Sequence, residues 1–218
     1  MRLKKLKWER KAEERPGALL HAALDVFCRQ GYRATRLEVV ADAAGVSKGT
    51  VYRYFRNKED LLKQALEERV RIKLGATEAA LQEFSGAPAE KLRFILTGYW
   101  TRAQEADFMR FHRLMFGEIA RELPLLFQYW IQNGTVRGWK LLEGIIREGQ
   151  ESGAFRKNAD AQGVAQFALS GLFHQAYLQA HIGTKNRSAC PPDRILQSVL
   201  DLLITGLKPI KLAGKKHD

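Results

Sequence analysis

Apolar residues recur at three- and four-residue intervals along most of this 218-residue chain, and no stretch alternates apolar and polar positions as a half-buried strand would. The pattern predicts an all-α protein. Leu19, Ala23, Val26 and Phe27 form the buried stripe of a first helix that Pro16 opens and Gly31 closes. A second helix starts near Arg36 and carries Leu37, Val40, Ala41 and Ala44 inward. Thr35 with Glu38 three residues on fits a capping box, the hydroxyl taking the Glu38 amide and the carboxylate returning to the Thr35 amide. Gly45 ends that helix in a left-handed cap, and Val46 drops between it and the next. Ser47 caps a third helix, whose inward face is Val51 with Tyr54 or Phe55. Asn57 caps a longer helix to about Leu74, with Glu59 and Asp60 in the first turn, where the macrodipole favours anions.

Beyond Gly75 a helical stretch and a loop lead to Pro88, which restarts helix; Lys91 to Ala106 then carries Leu92, Ile95, Leu96, Tyr99 and Trp100 on one side. Asp107 caps a helix that ends at Pro124, and a long amphipathic helix runs from Leu125 to Gly149. Two later segments differ in kind. Asp160–His181 and Pro191–Leu207 are apolar nearly all round, Phe167 and Leu172 lying on one stripe of the first and Leu169 and Phe173 on another. A helix of that kind must be buried on two sides. In a domain this small, one side faces its own core and the other a second subunit, across a two-fold axis in a four-helix interface. The layout is a basic arm at 1–15, a three-helix domain at 16–58, a connecting helix at 59–74 and a larger helical domain at 75–218. The connecting helix is expected to be the one link between the two domains.

The stretch from Gly31 to Lys58 is a helical hairpin whose short second helix carries Lys, Thr, Tyr and Arg near its N-terminal end, the geometry that enters a DNA major groove. Lys48 and Gly49 lie where the helix start meets base edges: a lysine can donate to guanine O6 and N7, and a glycine lets the backbone approach closely. Thr50, Tyr52, Arg53, Tyr54 and Lys58 hold phosphates and set register, and Ser47, which caps the helix, belongs to the same DNA-binding surface.

The run AGVSKGTVYRYFRNKEDLL resembles the signature of the tetracycline-repressor (TetR) family of bacterial transcriptional regulators, the motif covering about Leu19 to Leu62. Arg36 departs from it, standing where many members carry a small hydroxyl residue, and adds a phosphate contact. The resemblance implies an N-terminal helix-turn-helix DNA-binding domain, a larger C-terminal helical domain that binds a ligand, and a homodimer held by the last two helices. It also implies a pocket for a small, largely apolar effector. The aromatic-rich helices offer Trp100, Phe108, Phe111, His112, Met115, Phe116, Phe127, Trp130, Phe167, His174 and Tyr177 for it, with His112, His174 or Glu118 orienting the ligand. Taken singly, each aromatic is better read as plain core, since an aromatic stripe at helical spacing is what a bundle needs anyway.

Charge sharpens the DNA reading. The formal net charge is +12, and the first 60 residues hold 14 Lys and Arg against 8 Asp and Glu, half the excess in little over a quarter of the chain. The basic arm at 1–15 either lies on DNA or is a solvated end. Cys28 and Cys190 offer neither metal spacing nor a disulfide framework, and no run approaches the roughly 20 apolar residues of a membrane span. A cytoplasmic protein without metal or cofactor is expected. Catalysis is not: there is no Gly-rich phosphate loop, no nucleophile elbow, and no carboxylate cluster with a spaced histidine. The expected function is a repressor released from a pseudo-palindromic operator by the effector; the alternatives are a DNA-binding dimer without an effector, and an activator.

Overall fold

The computed structural model describes residues 17–182 and 190–209. The basic arm, Pro16 and nearly all of the closing basic tail lie outside them. Every regular element among the described residues is a helix: α1 (17–30), α2 (Leu37–Ala43), α3 (Lys48–Tyr54), α4 (Lys58–Glu83), α5 (Pro88–Ala103), α6 (Ala106–Arg113), α7 (Pro124–Trp130), α8 (Arg137–Glu151), α9 (Ala161–Ile182) and α10 (Pro192–Leu207). Contacts group the chain into two bodies, one holding residues to Gly75 together with Arg110–Gly134, the other Ala76–Met109 together with the chain from Thr135 on.

The first body is built on the predicted stripe. Leu19, Ala23, Val26 and Phe27 of α1 are buried with Leu37, Val40 and Ala41 of α2, Val51 of α3 and Phe55. Leu61, Leu62 and Leu66 of α4 close over them, and each such side chain contributes roughly 1.5–3 kcal/mol by leaving water. Phe111, Leu114, Met115, Ile119 and Trp130 complete the same core. Gly31 (φ +85°) and Gly45 (φ +65°) end α1 and α2 in the left-handed conformation expected of them.

The capping box does not form. The N-cap of α2 is Arg36, with no side-chain cap. Thr35, only 2% exposed, donates its hydroxyl to the Gly31 carbonyl oxygen at 2.6 Å, tying the end of α1 to the start of α2. A buried hydroxyl needs a partner, and the Gly31 carbonyl supplies it. Glu38 is left to turn outward. At α4 the Asn57 cap is present, Asp60 N–H donating to Asn57 Oδ1 at 2.8 Å. The helix does not stop near Leu74 but continues through Gly75 to Glu83, because the alanines and leucine beyond it outweigh the cost of about 1 kcal/mol for one internal glycine. Asp107 lies inside the first turn of α6 rather than capping it. A π-helical turn, Leu114–Ile119, comes after α6 and leads into a last turn, Ala120–Glu122. A second π turn, Ile131–Val136, joins α7 to α8 where one unbroken helix was expected.

In the second body α5, α8, α9 and α10 bury Leu92, Leu96, Trp100, Leu142, Ile146, Ala165, Leu172, Leu200 and Leu207. Phe155 folds back over the end of α8, its N–H donating to the Gly149 carbonyl oxygen at 2.8 Å. A Cβ on Gly149 would lie 2.0 Å from that ring, so only glycine fits there. Arg156 closes the end of α10, its N–H reaching the Leu207 carbonyl at 2.8 Å and its Nε that of Gly206 at 2.7 Å. One side of α9 and α10 faces this core as expected. The other is open: Phe167 is 77% exposed and Leu202 75%.

Candidate nucleic-acid interface and aromatic clusters

The hairpin of α2 and α3 is fixed by local chemistry. Gly45 N–H donates to Asp42 O at 3.1 Å and Val46 N–H to Ala41 O at 3.0 Å, which turns the chain through the glycine. Ser47 then caps α3, its Oγ accepting from Thr50 N–H at 3.2 Å and pairing with the Thr50 hydroxyl at 2.9 Å. Val51 and Phe55 anchor the helix inward. Arg36, Ser47, Lys48, Gly49, Tyr52 and Arg53 are exposed, and Thr50 is half-buried. A Cβ on Gly49 would meet nothing closer than Ser47 Oγ at 3.8 Å, so no neighbour within the chain requires glycine there.

Tyr54 and Lys58 are placed differently. Tyr54 is half-buried against the core, its ring 6.3 Å from that of Phe55. Lys58 Nζ donates to the carbonyl oxygens of Tyr32 (2.7 Å), Thr35 (3.1 Å) and Arg33 (3.2 Å), and lies 4.5 Å above the Tyr32 ring. It ties the start of α4 to the turn between α1 and α2.

Two acidic residues that sequence reasoning did not give to this surface shape it. Glu38 pairs with Lys48 at the first residue of α3, and the Lys48 ammonium also lies 5.8 Å from the centre of the Tyr52 ring. The hydrogen bond from Lys48 holds the Glu38 carboxyl below the usual glutamate range and raises the lysine in turn. Glu118, expected to orient an effector, instead accepts the backbone N–H of Tyr32 and, at 3.3 Å, that of Arg33. Arg33 also donates to Glu122 at 2.9 Å. The connecting helix is therefore not the one link to the helix-turn-helix: residues 114–122 hold its first turn directly, across more than eighty residues of sequence.

The expected effector residues fall into two clusters. In the first body Trp130 is the hub, with ring centres 5.5 Å from Phe116, 5.6 Å from His112 and Phe127, and 5.7 Å from Phe111. Met115 is buried beside them, the Arg69 guanidinium lies 4.2 Å over Phe111, and Phe116 is 49% exposed. In the second body Tyr99, Phe108, Phe173 and Tyr177 form a chain of rings 5.9–6.4 Å apart, ending on His181. Burial pushes the Tyr99 phenol well above its usual range. Trp100 is buried in the same body, and its indole N–H has no hydrogen-bond partner among the described residues. Phe167 and His174 lie outside both clusters, on the exposed side of α9. No group of three or more His, Cys, Asp or Glu suited to a metal occurs among the described residues, and no described helix is long and apolar enough to cross a membrane.

A glycine-turned helical hairpin with an exposed, cationic and hydroxyl-bearing second helix defines a helix-turn-helix DNA-binding protein. Residues 19–65 match the family model described as bacterial regulatory proteins, tetR family. The chain is 25% identical over 191 residues to the fatty acid metabolism regulator protein of Bacillus subtilis, covering 87% of this chain and 93% of that one. It is 28% identical over 151 residues to the HTH-type transcriptional repressor KstR2 of Mycolicibacterium smegmatis, covering 68% and 71%. The crystal structure of FadR from Bacillus subtilis in complex with stearoyl-CoA shares the fold, with a TM-score of 0.68 at 24% identity over 87% of this chain and 98% of that one. Residues 19–65 are thus a DNA-binding domain of the tetR type, and the relatives matched over most of the chain are transcription regulators rather than enzymes.

Proposed function

We propose that this protein is a cytoplasmic, homodimeric repressor that binds a pseudo-palindromic operator and is released from it by a small, largely apolar effector. Residues 16–58 read the DNA, 59–74 connect, and 75–218 pair the subunits and take the effector. Arg36, Ser47, Lys48, Gly49, Thr50, Tyr52 and Arg53 face the DNA, Lys48 and Gly49 at base edges and the others at phosphates. The open side of α9 and α10, with Phe167 and Leu202, meets the second subunit.

The observation that carries the release step lies in the first body. Phe116 and Glu118 share one π-helical turn, and His112 stands just before it. A ligand that displaced the Phe116 and His112 rings would move the turn whose carboxylate holds Tyr32 and Arg33. Recognition helices on a two-fold axis fit successive major grooves at one separation, so a small shift in each subunit weakens both contacts together. The similarity to a regulator crystallised with stearoyl-CoA makes long-chain acyl compounds the first candidates. One observation favours a dimer without effector: the rings around Trp130 already contact one another, Phe116 edge-on and Phe127 tilted.

The test is to select an operator from random duplexes, then titrate the complex with stearoyl-CoA, stearate and a panel of other apolar metabolites. Release should lower operator affinity roughly 5- to 150-fold, and by linkage the operator must lower effector affinity by the same factor. Equal effector affinity with and without operator would sink the release mechanism, however tightly the compound binds.

A further inference from the structure

We propose that Glu38 is a specificity-determining residue of the DNA interface, holding the Lys48 ammonium so that phosphates at arbitrary sequences gain little from it, while the operator draws it away. The proposal rests on the reading that Lys48 faces DNA.

The capping box that would have occupied Glu38 is absent, since Thr35 turns its hydroxyl to Gly31. The freed carboxylate leaves the first turn of α2 and meets Lys48 at the start of α3. Three features shape that ammonium: the carboxylate beside it, the Tyr52 ring 5.8 Å away, and its position on the exposed edge of the hairpin. Arg36 is the other charge acting on Glu38. The lowered carboxyl keeps the pair ionised throughout neutral pH.

Both partners are about half exposed, so water and salt screen the pair and a DNA acceptor can displace it. The consequence differs between sites. At an arbitrary sequence Lys48 offers only a point charge to a phosphate, and moving it there strands the Glu38 carboxylate near the DNA backbone. Little net cation is delivered and few counterions are released. At the operator the same lysine donates to base-edge acceptors as well, which offsets the loss of its carboxylate partner. Glu38 therefore weakens non-specific binding more than specific binding, and selectivity comes from that difference.

The experiment measures affinity for the selected operator and for a scrambled duplex of the same length, across a salt series. It compares wild type, Glu38→Gln, Glu38→Asp, Lys48→Met and Glu38→Gln with Lys48→Met, each checked for unchanged helical circular dichroism. Glu38→Gln should tighten the scrambled duplex roughly two- to five-fold and steepen its salt slope by about one, while changing the operator less than two-fold. Glu38→Asp keeps the carboxylate charge beside the flexible Lys48 side chain, so it should stay closer to wild type than Glu38→Gln. In the Lys48→Met background Glu38→Gln should leave the salt slope unchanged. The proposal is overturned if Glu38→Gln leaves the scrambled duplex unchanged, or if it tightens both duplexes alike with or without Lys48; the DNA-facing reading of Lys48 survives either result. If Lys48→Met alters binding to neither duplex, that underlying reading fails first and the proposal with it.

Discussion

Replacing Glu118 by alanine isolates the contact between residues 114–122 and the helix-turn-helix. The carboxylate accepts two backbone N–H groups in adjacent positions, Tyr32 and Arg33, and no other acceptor for either is found among the described residues. Hydrogen bonds to a charged group contribute about 1.5–3 kcal/mol each, but here the bond to Arg33 is long and exposed while that to Tyr32 is partly buried. The total loss should be roughly 1.5–3 kcal/mol, equivalent to a fall of about 3–12 °C in melting temperature for a chain of this size. Glu118→Gln retains one acceptor oxygen without the charge and should fall about midway. The α1–α2 turn sets where α2 and α3 begin, so operator affinity should fall in step with stability. Differential scanning calorimetry and fluorescence anisotropy on a labelled operator read the two effects. A Glu118→Ala protein that melts within a degree of wild type and binds operator equally well would refute the idea that this carboxylate holds the turn.

Lys58→Met removes three hydrogen bonds and a contact with the Tyr32 ring, so urea unfolding should show a loss of about 2–4 kcal/mol; unchanged stability with a salt slope reduced by about one would instead make it a phosphate ligand. Leu200 lies inside the second body's core and Leu203 packs against it, so the dimer is better tested with Phe167→Asp and Leu202→Asp together; sedimentation should find folded monomers, and an intact dimer would place the interface elsewhere. Trp100→Phe removes a buried donor that has no partner among the described residues, a gain that offsets the smaller ring, so stability should change by less than about 1 kcal/mol in calorimetry; a loss above about 2 kcal/mol would mean that the indole N–H is satisfied. The carboxyls of Glu38, Asp60, Glu68 and Glu122 all lie below their usual values, held by Lys48, the Arg56 amide, Arg71 and Arg121 respectively. Groups depressed in the folded state stabilise it above their unfolded pKa, so unfolding midpoints should be flat from about pH 5 to 8 and decline as pH falls below about 4; Asp60→Asn should flatten part of that decline.

Where a residue's job is set by its immediate neighbours, sequence was enough. Gly31, Gly45, Ser47 and Asn57 each end or begin a helix by chemistry confined to a few residues, and each does so as expected. Thr35 and Glu38 show where that stops. Two local bonds were open to each, and the choice fell to burial around Thr35 and to a lysine on the next helix. Glu118 and its two amides are separated by more than eighty residues, and nothing in periodicity pairs them. The π turns escape for another reason: one extra residue in a turn leaves apolar spacing almost unchanged while rotating the helix beyond it. The same limit applies to Phe167 and Phe173, which share an all-round apolar helix although one faces solvent and the other an aromatic chain.

Gly31 meets two demands at once. Its φ of +85° suits glycine alone, and a Cβ there would lie 3.0 Å from a Glu118 carboxylate oxygen. A side chain at position 31 would push against the acceptor that holds the next two amides, so backbone strain and loss of the clamp would arrive together. Over evolutionary time the two sites should be coupled: a lineage that replaced Gly31 would also displace the acid at 118 from its amides. Related regulators should therefore show glycine and acid at these two positions kept together or lost together, a linked pair of substitutions in otherwise unrelated parts of the chain.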